Sequence, residues 1–237
     1  MNQPGPHAAG AAQPSSPRRA AGCVGVVLAG GAGSRLGQNK ADLRLPGRRG
    51  DDAGPTLVEW ALARLSAVSG VEEVLVAAGE AALGTLSVPQ ELQASIIADG
   101  VGSGPAAGVL GAARSRPNRE LLVLACDLPL VPVELLAALA GSSADLAAAA
   151  SDPADPWSMN PTCALWRPAA LKLLGRRVAE GDFRLYPTLQ DSCLRVQAID
   201  AGRFGDPKQV LLNVNTADDW ARARRLAVLA DPPLAGL

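Results

Sequence analysis

The sequence predicts an α/β protein: a parallel sheet with helices packed on both faces. Two observations carry that expectation. Short apolar, β-branched runs alternate with runs of helical periodicity, the pattern of strand–helix–strand units. The strand-like runs are also apolar throughout, as in strands covered on both faces.

The first strand is Val24–Leu28, in "CVGVVLAGG". A helix follows in "PTLVEWALARLSAVS", with Leu57, Val58, Ala61, Leu62, Leu65 and Val68 on one face. Its start, Thr56-x-x-Glu59 after a proline, has the form of a capping box. "EEVLVAAG" and the shorter "ASIIADG" read as strands two and three. "GPAAGVLGAARS" reads as a helix entered through Pro105. The most apolar strand is in "ELLVLACDLP", followed by the helix "VPVELLAALAGS", which ends at Gly141. "ADLAAAAS" reads as a fifth strand. Beyond residue 150, "NPTCALWR" reads as a strand, "PAALKLLGRRVAEG" as a helix and "LRVQAID" as a strand. "QVLLNVNTADDWARARRLAVL" is expected to give a short strand and a closing helix. Asp218 and Asp219 in that helix's first turn, with Arg222, Arg224 and Arg225 later, suit the helix dipole. Pro46–Gly54 and Ser151–Ser158 read as surface loops.

Composition narrows the function. The 237 residues carry a net charge of −1, so no overall field recruits nucleic acid or an anionic membrane. No apolar run has the ~20 residues of a membrane span. Residues 1–22 are rich in Pro, Gly, Ser and Ala, lack the apolar core of a secretory signal and read as a disordered tail. That leaves residues 23–229 for a single domain and 230–237 for a C-terminal tail. The one histidine, His7, falls in the N-terminal tail, which argues against imidazole catalysis and a His-ligated metal. Cys23, Cys126, Cys163 and Cys193 form no C-x-x-C pair and read as reduced thiols of a cytoplasmic protein.

Ligands of open α/β sheets bind beyond the carboxyl ends of the strands. "LAGGAGSRLGQNK" lies at such an end. It is not a Walker loop, because no Gly-Lys-Ser/Thr follows, and from Gly31 the spacing G-x-G-x-x-x-G is one residue too long for the dinucleotide fingerprint. A phosphate cradle of backbone N–H groups remains, with Arg35 and Lys40 as cations. A strand-to-helix turn with solvated charges is the alternative. Asp127 ends the most apolar strand, where a carboxylate needs a partner, a cleft or a cation. Mg²⁺ suits it, since Mg²⁺ takes one or two carboxylates plus substrate phosphates; a helix N-cap is the other reading. Asp99 follows "SIIA" and admits the same pair of readings. Asn213 and Asn215 share a face if extended, and their amides suit a phosphate, a ribose or turn chemistry. "GSGPAAG" leaves room for a flat ring against backbone, or serves only a tight turn. Together these features point to a nucleotide-binding α/β enzyme using magnesium.

"VVLAGGAGSRLGQNKADL" resembles the opening signature of the molybdenum cofactor guanylyltransferases, the MobA type. "GPAAGV", "CDLPLVP", "NPTCALW" and "LLNVNTADDW" resemble further segments of that family, in family order, from about residue 24 to 220. Leu36 stands where the family usually has methionine, Asn160 where it often has histidine, and Ala77 where some relatives have asparagine. The resemblance implies a Rossmann-like three-layer sandwich of the nucleotidyltransferase type, with a mostly parallel sheet. It implies transfer of GMP from GTP to molybdopterin-bound molybdenum, with release of pyrophosphate and delivery to molybdoenzymes or cofactor-insertion proteins. Carried over by residue, Leu28, Ala29, Gly30 and Gly31 would meet the nucleotide through backbone, with Gly104 beside them. Arg35 and Lys40 would neutralise the triphosphate, Asp99 would sit by the guanosine and Asp127 would hold Mg²⁺. Arg184, Asn213 and Asn215 would face the molybdopterin. A CTP-using sister enzyme and a nucleotide-binding cofactor carrier remain as alternatives.

Overall fold

The computed structural model describes residues 22–29, 40–46, 54–79, 86, 88–102 and 104–227. The tail up to residue 21 and residues 228–237 lie outside that set, as do Gly30, Gly31 and Arg35.

Seven strands form one sheet in the order β3-β2-β1-β4-β6-β5-β7. They are β1 Cys23–Leu28, β2 Val71–Ala78, β3 Ser95–Ala98, β4 Leu121–Ala125, β5 Leu146–Ala150, β6 Met159–Trp166 and β7 Val196–Asp200. β6 runs antiparallel to both β4 and β5, and the other pairs are parallel. The central β1, β4 and β5 are buried along their whole length, whereas the edge strands β3 and β7 are partly exposed.

The longer helices are α1 Leu57–Ser66, α2 Pro105–Ser115, α3 Val133–Ala140 and α4 Pro168–Ala179. Single turns α5 Tyr186–Leu189 and α6 Pro207–Val210 precede the closing helix α7 Ala217–Ala227. The Thr56–Glu59 capping box forms: Glu59 N donates to Thr56 Oγ1 at 3.1 Å and Thr56 N to Glu59 Oε2 at 2.7 Å. A side chain at Gly25 would meet Leu65 of α1, while Leu28 meets Gly108 of α2. Positions three apart on a strand point to opposite faces, so α1 and α2 cover different sides of the sheet. α3 packs against α1 and α4 against α2, which completes three layers. The ends of the Pro46–Gly54 loop are tied by Leu45 N donating to Pro55 O at 2.9 Å, while residues 47–53 lie outside the described set.

The short strand expected in "QVLLNVN" does not form. Asp206 accepts from the amides of Lys208 and Val210 and starts the helical turn α6 instead. The chain then crosses the sheet's end, spending the Val214 amide on the Asp127 carbonyl at 2.9 Å. The closing helix starts through a reciprocal cap, Asp219 N to Thr216 Oγ1 and Thr216 N to Asp219 Oδ2.

α2 lies unusually close to the chain that leaves β3. A Cβ at Gly111 would stand 2.5 Å from the Ala98 carbonyl oxygen and 2.9 Å from the Gly100 nitrogen, both backbone atoms that cannot rotate away. Gly111→Ala is expected to cost about 1–3 kcal/mol by overpacking, despite alanine's better helix propensity. Urea denaturation checks this, and a stabilised variant would show that the contact is slack.

Candidate active site

The carboxyl ends of β1, β2, β3 and β4 are locked in mutual register. Cys126 N donates to Leu28 O at 3.1 Å, Ala29 N to Ala77 O at 2.9 Å and Asp99 N to Ala78 O at 3.1 Å. Leu28 and Ala29 are buried there, and Asp99 and Asp127 leave the same edge of the sheet.

Lys40 opens a short 3-10 turn, Lys40–Asp42, and reaches into this edge. Its Nζ lies 3.1 Å from Asp127 Oδ2 and donates to Asn215 Oδ1 at 2.6 Å. Three segments far apart in sequence thus meet at one ammonium group. Both charged side chains are mostly shielded, with 16% of Lys40 and 21% of Asp127 accessible, so the pair keeps more of its attraction than a surface pair would. The capping reading of Asp127 is removed, because the N-cap of α3 is Pro132. Asp99 caps no helix either, since the N-cap of α2 is Gly104.

The turn carrying Asp127 is clamped from α1. Trp60 Nε1 donates to Pro129 O at 2.6 Å, and the buried Arg64 donates through Nη1 to Val131 O. The Arg64 guanidinium lies 4.7 Å from the Trp60 ring centroid, and burial pulls its pKa down to about 10. The sequence reading passed over this clamp. Its signal was an aromatic and an arginine at i and i+4 on an otherwise apolar helix.

Asp99 sits over small residues. A Cβ at Gly79 would stand 3.5 Å from its Oδ2, and one at Gly108 would stand 3.4 Å from its Oδ1. Burial pushes its carboxyl above the ordinary aspartate range. Gly104 and Gly102 adopt left-handed φ of +69° and +108°, so the turn itself demands glycine there. Ala106 and Ala107 of "GSGPAAG" are buried within α2.

Arg184 and Asn213 are not hydrogen-bonded into the Lys40 cluster among the described residues. Arg184 is exposed on the loop after α4, with Nε 2.8 Å from Asp182 Oδ1. Arg177 binds the other oxygen of Asp182 at 2.6 Å, and the two arginines hold that carboxyl well below its usual range. Asn213 is exposed beside the Val214 crossing. No group of three or more His, Cys, Asp or Glu among the described residues could hold a metal on its own.

A family model, the MobA-like NTP transferase domain, matches residues 25–196. The chain belongs to this family. Among MobA-like NTP transferases it is 34% identical over 203 residues to a probable molybdenum cofactor guanylyltransferase of Chloroflexus aggregans, covering 82% of this chain and 90% of that one. It is 31% identical over 217 residues to a molybdenum cofactor guanylyltransferase of Nitrobacter hamburgensis, covering 86% and 94%. The fold is shared with molybdopterin-guanine dinucleotide biosynthesis protein A of Archaeoglobus fulgidus, at TM-score 0.65 and 24% identity over 87% of this chain and all of that one. A CMP-2-keto-3-deoxy-manno-octonic acid synthetase complexed with CTP also shares it, at TM-score 0.62 and 14% identity over 87% and 98%. The MobA-like nucleotidyltransferase fold expected from the sequence is thus the fold observed, and Asp99, Asp127 and Lys40 stand at the carboxyl edge of its sheet. Among the described residues, no helix is long and apolar enough to cross a membrane.

The raised pKa of Asp99 has a definite sign for stability. Relative to an unfolded aspartate at 3.8, its contribution is fully present below that value and is lost as pH rises through the folded value. Asp99→Asn is therefore expected to melt higher than the unaltered protein at neutral pH, with the gap closing below about pH 4. Thermal melts across pH 3–8 check it; a less stable variant at neutral pH would mean that the carboxylate is compensated.

Proposed function

We propose that this protein transfers GMP from GTP to molybdopterin-bound molybdenum, releasing pyrophosphate. The observation that carries the reading is the meeting of Lys40, Asp127 and Asn215 at one strand edge, since it unites the segments that resemble the guanylyltransferases. The names of the curated relatives support the substrate pair. The same reading places the reaction in the cytoplasm and hands the product to molybdoenzymes or cofactor-insertion proteins.

The backbone of Leu28, Ala29, Gly30 and Gly31 lines the nucleotide's phosphates, and Asp99 and Gly104 lie toward the guanosine. Arg35 and Lys40 face the triphosphate. The terminal phosphate of molybdopterin is ionised at neutral pH, so its oxygen attacks the α-phosphorus with no general base. A new P–O bond forms there, and the bond from the α-phosphorus to the oxygen bridging it to the β-phosphorus breaks. The electron pair leaves on pyrophosphate, where Lys40 and Arg35 stabilise the growing charge. Arg184, Asn213 and Asn215 orient the molybdopterin, and catalysis is positioning plus charge stabilisation.

The residues present fit Mg²⁺, which needs few protein carboxylates when phosphates complete its shell. Asp127 offers one carboxylate on a cleft edge, already facing a cation in Lys40, with the Asn215 amide oxygen on the same group. Held by Asp127, Mg²⁺ would add positive charge at the α- and β-phosphates.

Two measurements test the reading. Asp127→Ala is expected to fold, melting somewhat lower for loss of the Lys40 pair, and to lose about 10²–10³ in turnover, the usual loss for one preorganised charge-stabilising group. Near-normal turnover would remove the metal role. Calorimetric titration is expected to favour GTP over CTP by at least about tenfold, or ~1.4 kcal/mol. Equal or tighter CTP binding would overturn the guanine assignment.

A further inference from the structure

Three large apolar side chains stay exposed among the described residues: Val101, Trp157 and Phe183. Trp157 and Phe183 belong to one arrangement at the carboxyl edge of the sheet. β6 is antiparallel, so α4, which follows it, returns to that edge and delivers the loop 181–185 there. At one end of this loop Phe183 packs on Gly102, where an added Cβ would stand 2.4 Å from its ring. Tyr186, just past the other end, stacks on Trp157 with ring centroids 4.9 Å apart and planes 8° from parallel. Trp157 sits in the β5–β6 connection, and β5 lies two strand positions from β4, about 10 Å across the sheet. The loop therefore links the Asp99–Gly104 side of the edge to the β5 side, with Arg184 in between.

The ring pair is fixed but open. The Tyr186 hydroxyl donates to Pro156 O, and Asp155 Oδ1 accepts from Trp157 N at 2.9 Å. Trp157 is nonetheless 68% exposed, so with Tyr186 on one face its other face meets solvent. Asp155 is also close enough to Tyr186 that, after burial, its charge is the next cause raising the phenol's pKa. An open indole face with an exposed carboxylate two residues away has a defined complement. It is a flat heterocycle with adjacent N–H donors, such as a fused 2-amino-4-oxopyrimidine ring, which stacks while the carboxylate accepts from its edge.

We propose that Trp157, stacked on Tyr186 and tied through its backbone to the exposed Asp155, is the platform for the pterin ring of the acceptor substrate. The inference rests on the guanylyl-transfer reading above. Guanine carries the same ring edge, but Leu28, Ala29 and Asp99 lie on the β1–β3 half of the sheet. The platform lies on the β5–β6 half, which leaves it for the acceptor. Arg184, next along the loop, meets the acceptor's anionic arm on its way to Asp127.

The test uses the full chain in two arms. In turnover, Trp157→Ala is expected to raise KM for molybdopterin-bound molybdenum about tenfold, as loss of one stacking partner does. KM for GTP and the melting temperature should stay unchanged, and Trp157→Phe should restore most of the acceptor KM. In binding, 6-hydroxymethylpterin alone, followed by its own fluorescence anisotropy, should bind the unaltered protein and Trp157→Phe but not Trp157→Ala. An unchanged acceptor KM in Trp157→Ala overturns the platform, as does a raised KM for GTP or pterin binding that ignores the substitution. Absence of pterin binding to the unaltered protein overturns it too. Should the unaltered protein release no pyrophosphate from GTP and acceptor, the guanylyl-transfer reading fails, and the pterin arm still decides the platform.

Discussion

One ammonium group organises the functional edge of this protein. Lys40 Nζ bridges the Asp127 carboxylate and the Asn215 amide, so the segment after β1, the turn after β4 and the crossing before α7 share a single contact. The turn after β4 and the crossing before α7 have no strand ladder to fix them. Each is held by isolated bonds: Cys126 N to Leu28 O, Val214 N to Asp127 O, and the Trp60 and Arg64 donors on the following turn. A carboxylate at the end of a buried strand costs free energy if left alone. The lysine offsets that cost without closing the cleft, since Asp127 stays about one-fifth accessible. A resting site that already balances its own charge is ready to exchange partners when a polyanion arrives.

The sheet's topology divides labour around that contact. β3, β2, β1 and β4 run parallel, and both aspartates stand at their carboxyl ends. Reversal of β6 inserts a seam, beyond which β5 and β7 resume the original direction. The β5–β6 connection and the loop after α4 thereby open on the same edge as Asp127. Two substrates can approach from the two sides of the seam, with the Lys40 cluster beside it.

Much of this was legible in the sequence, for physical reasons that differ by element. β1 and β4 are covered on both faces, and their apolar, β-branched runs show it; β5 was less legible, because its alanines favour a helix as readily as a strand. α1 announced its start through Thr56 and Glu59, which do form the reciprocal cap. The direction of β6 was not legible, because "NPTCALW" has the same pattern read either way and only its neighbours set its sense. The failed strand in "QVLLNVN" misled because its apolar residues pack under the crossing, while the Val214 amide is taken by Asp127. Lys40, Asp127 and Asn215 each stood out singly, but their convergence depends on tertiary packing that no local window contains. The Trp157–Tyr186 stack was hidden for the same reason, its two rings lying in separate loops.

The thiol next to Asp127 gives the site a chemical insulation. Cys126 is buried, and desolvation foremost pushes it up to about 12. Burial thus keeps it as the neutral thiol rather than the thiolate, the form that binds soft metals. In the proposed reaction the cargo is molybdenum already held by sulfur. A reactive thiolate one residue from Asp127, the carboxylate proposed to hold Mg²⁺, would compete for that cargo or scramble its ligands. Burial keeps this sulfur a spectator, so a protein that handles a thiophilic metal can carry a cysteine at its active edge without becoming a ligand to what it delivers.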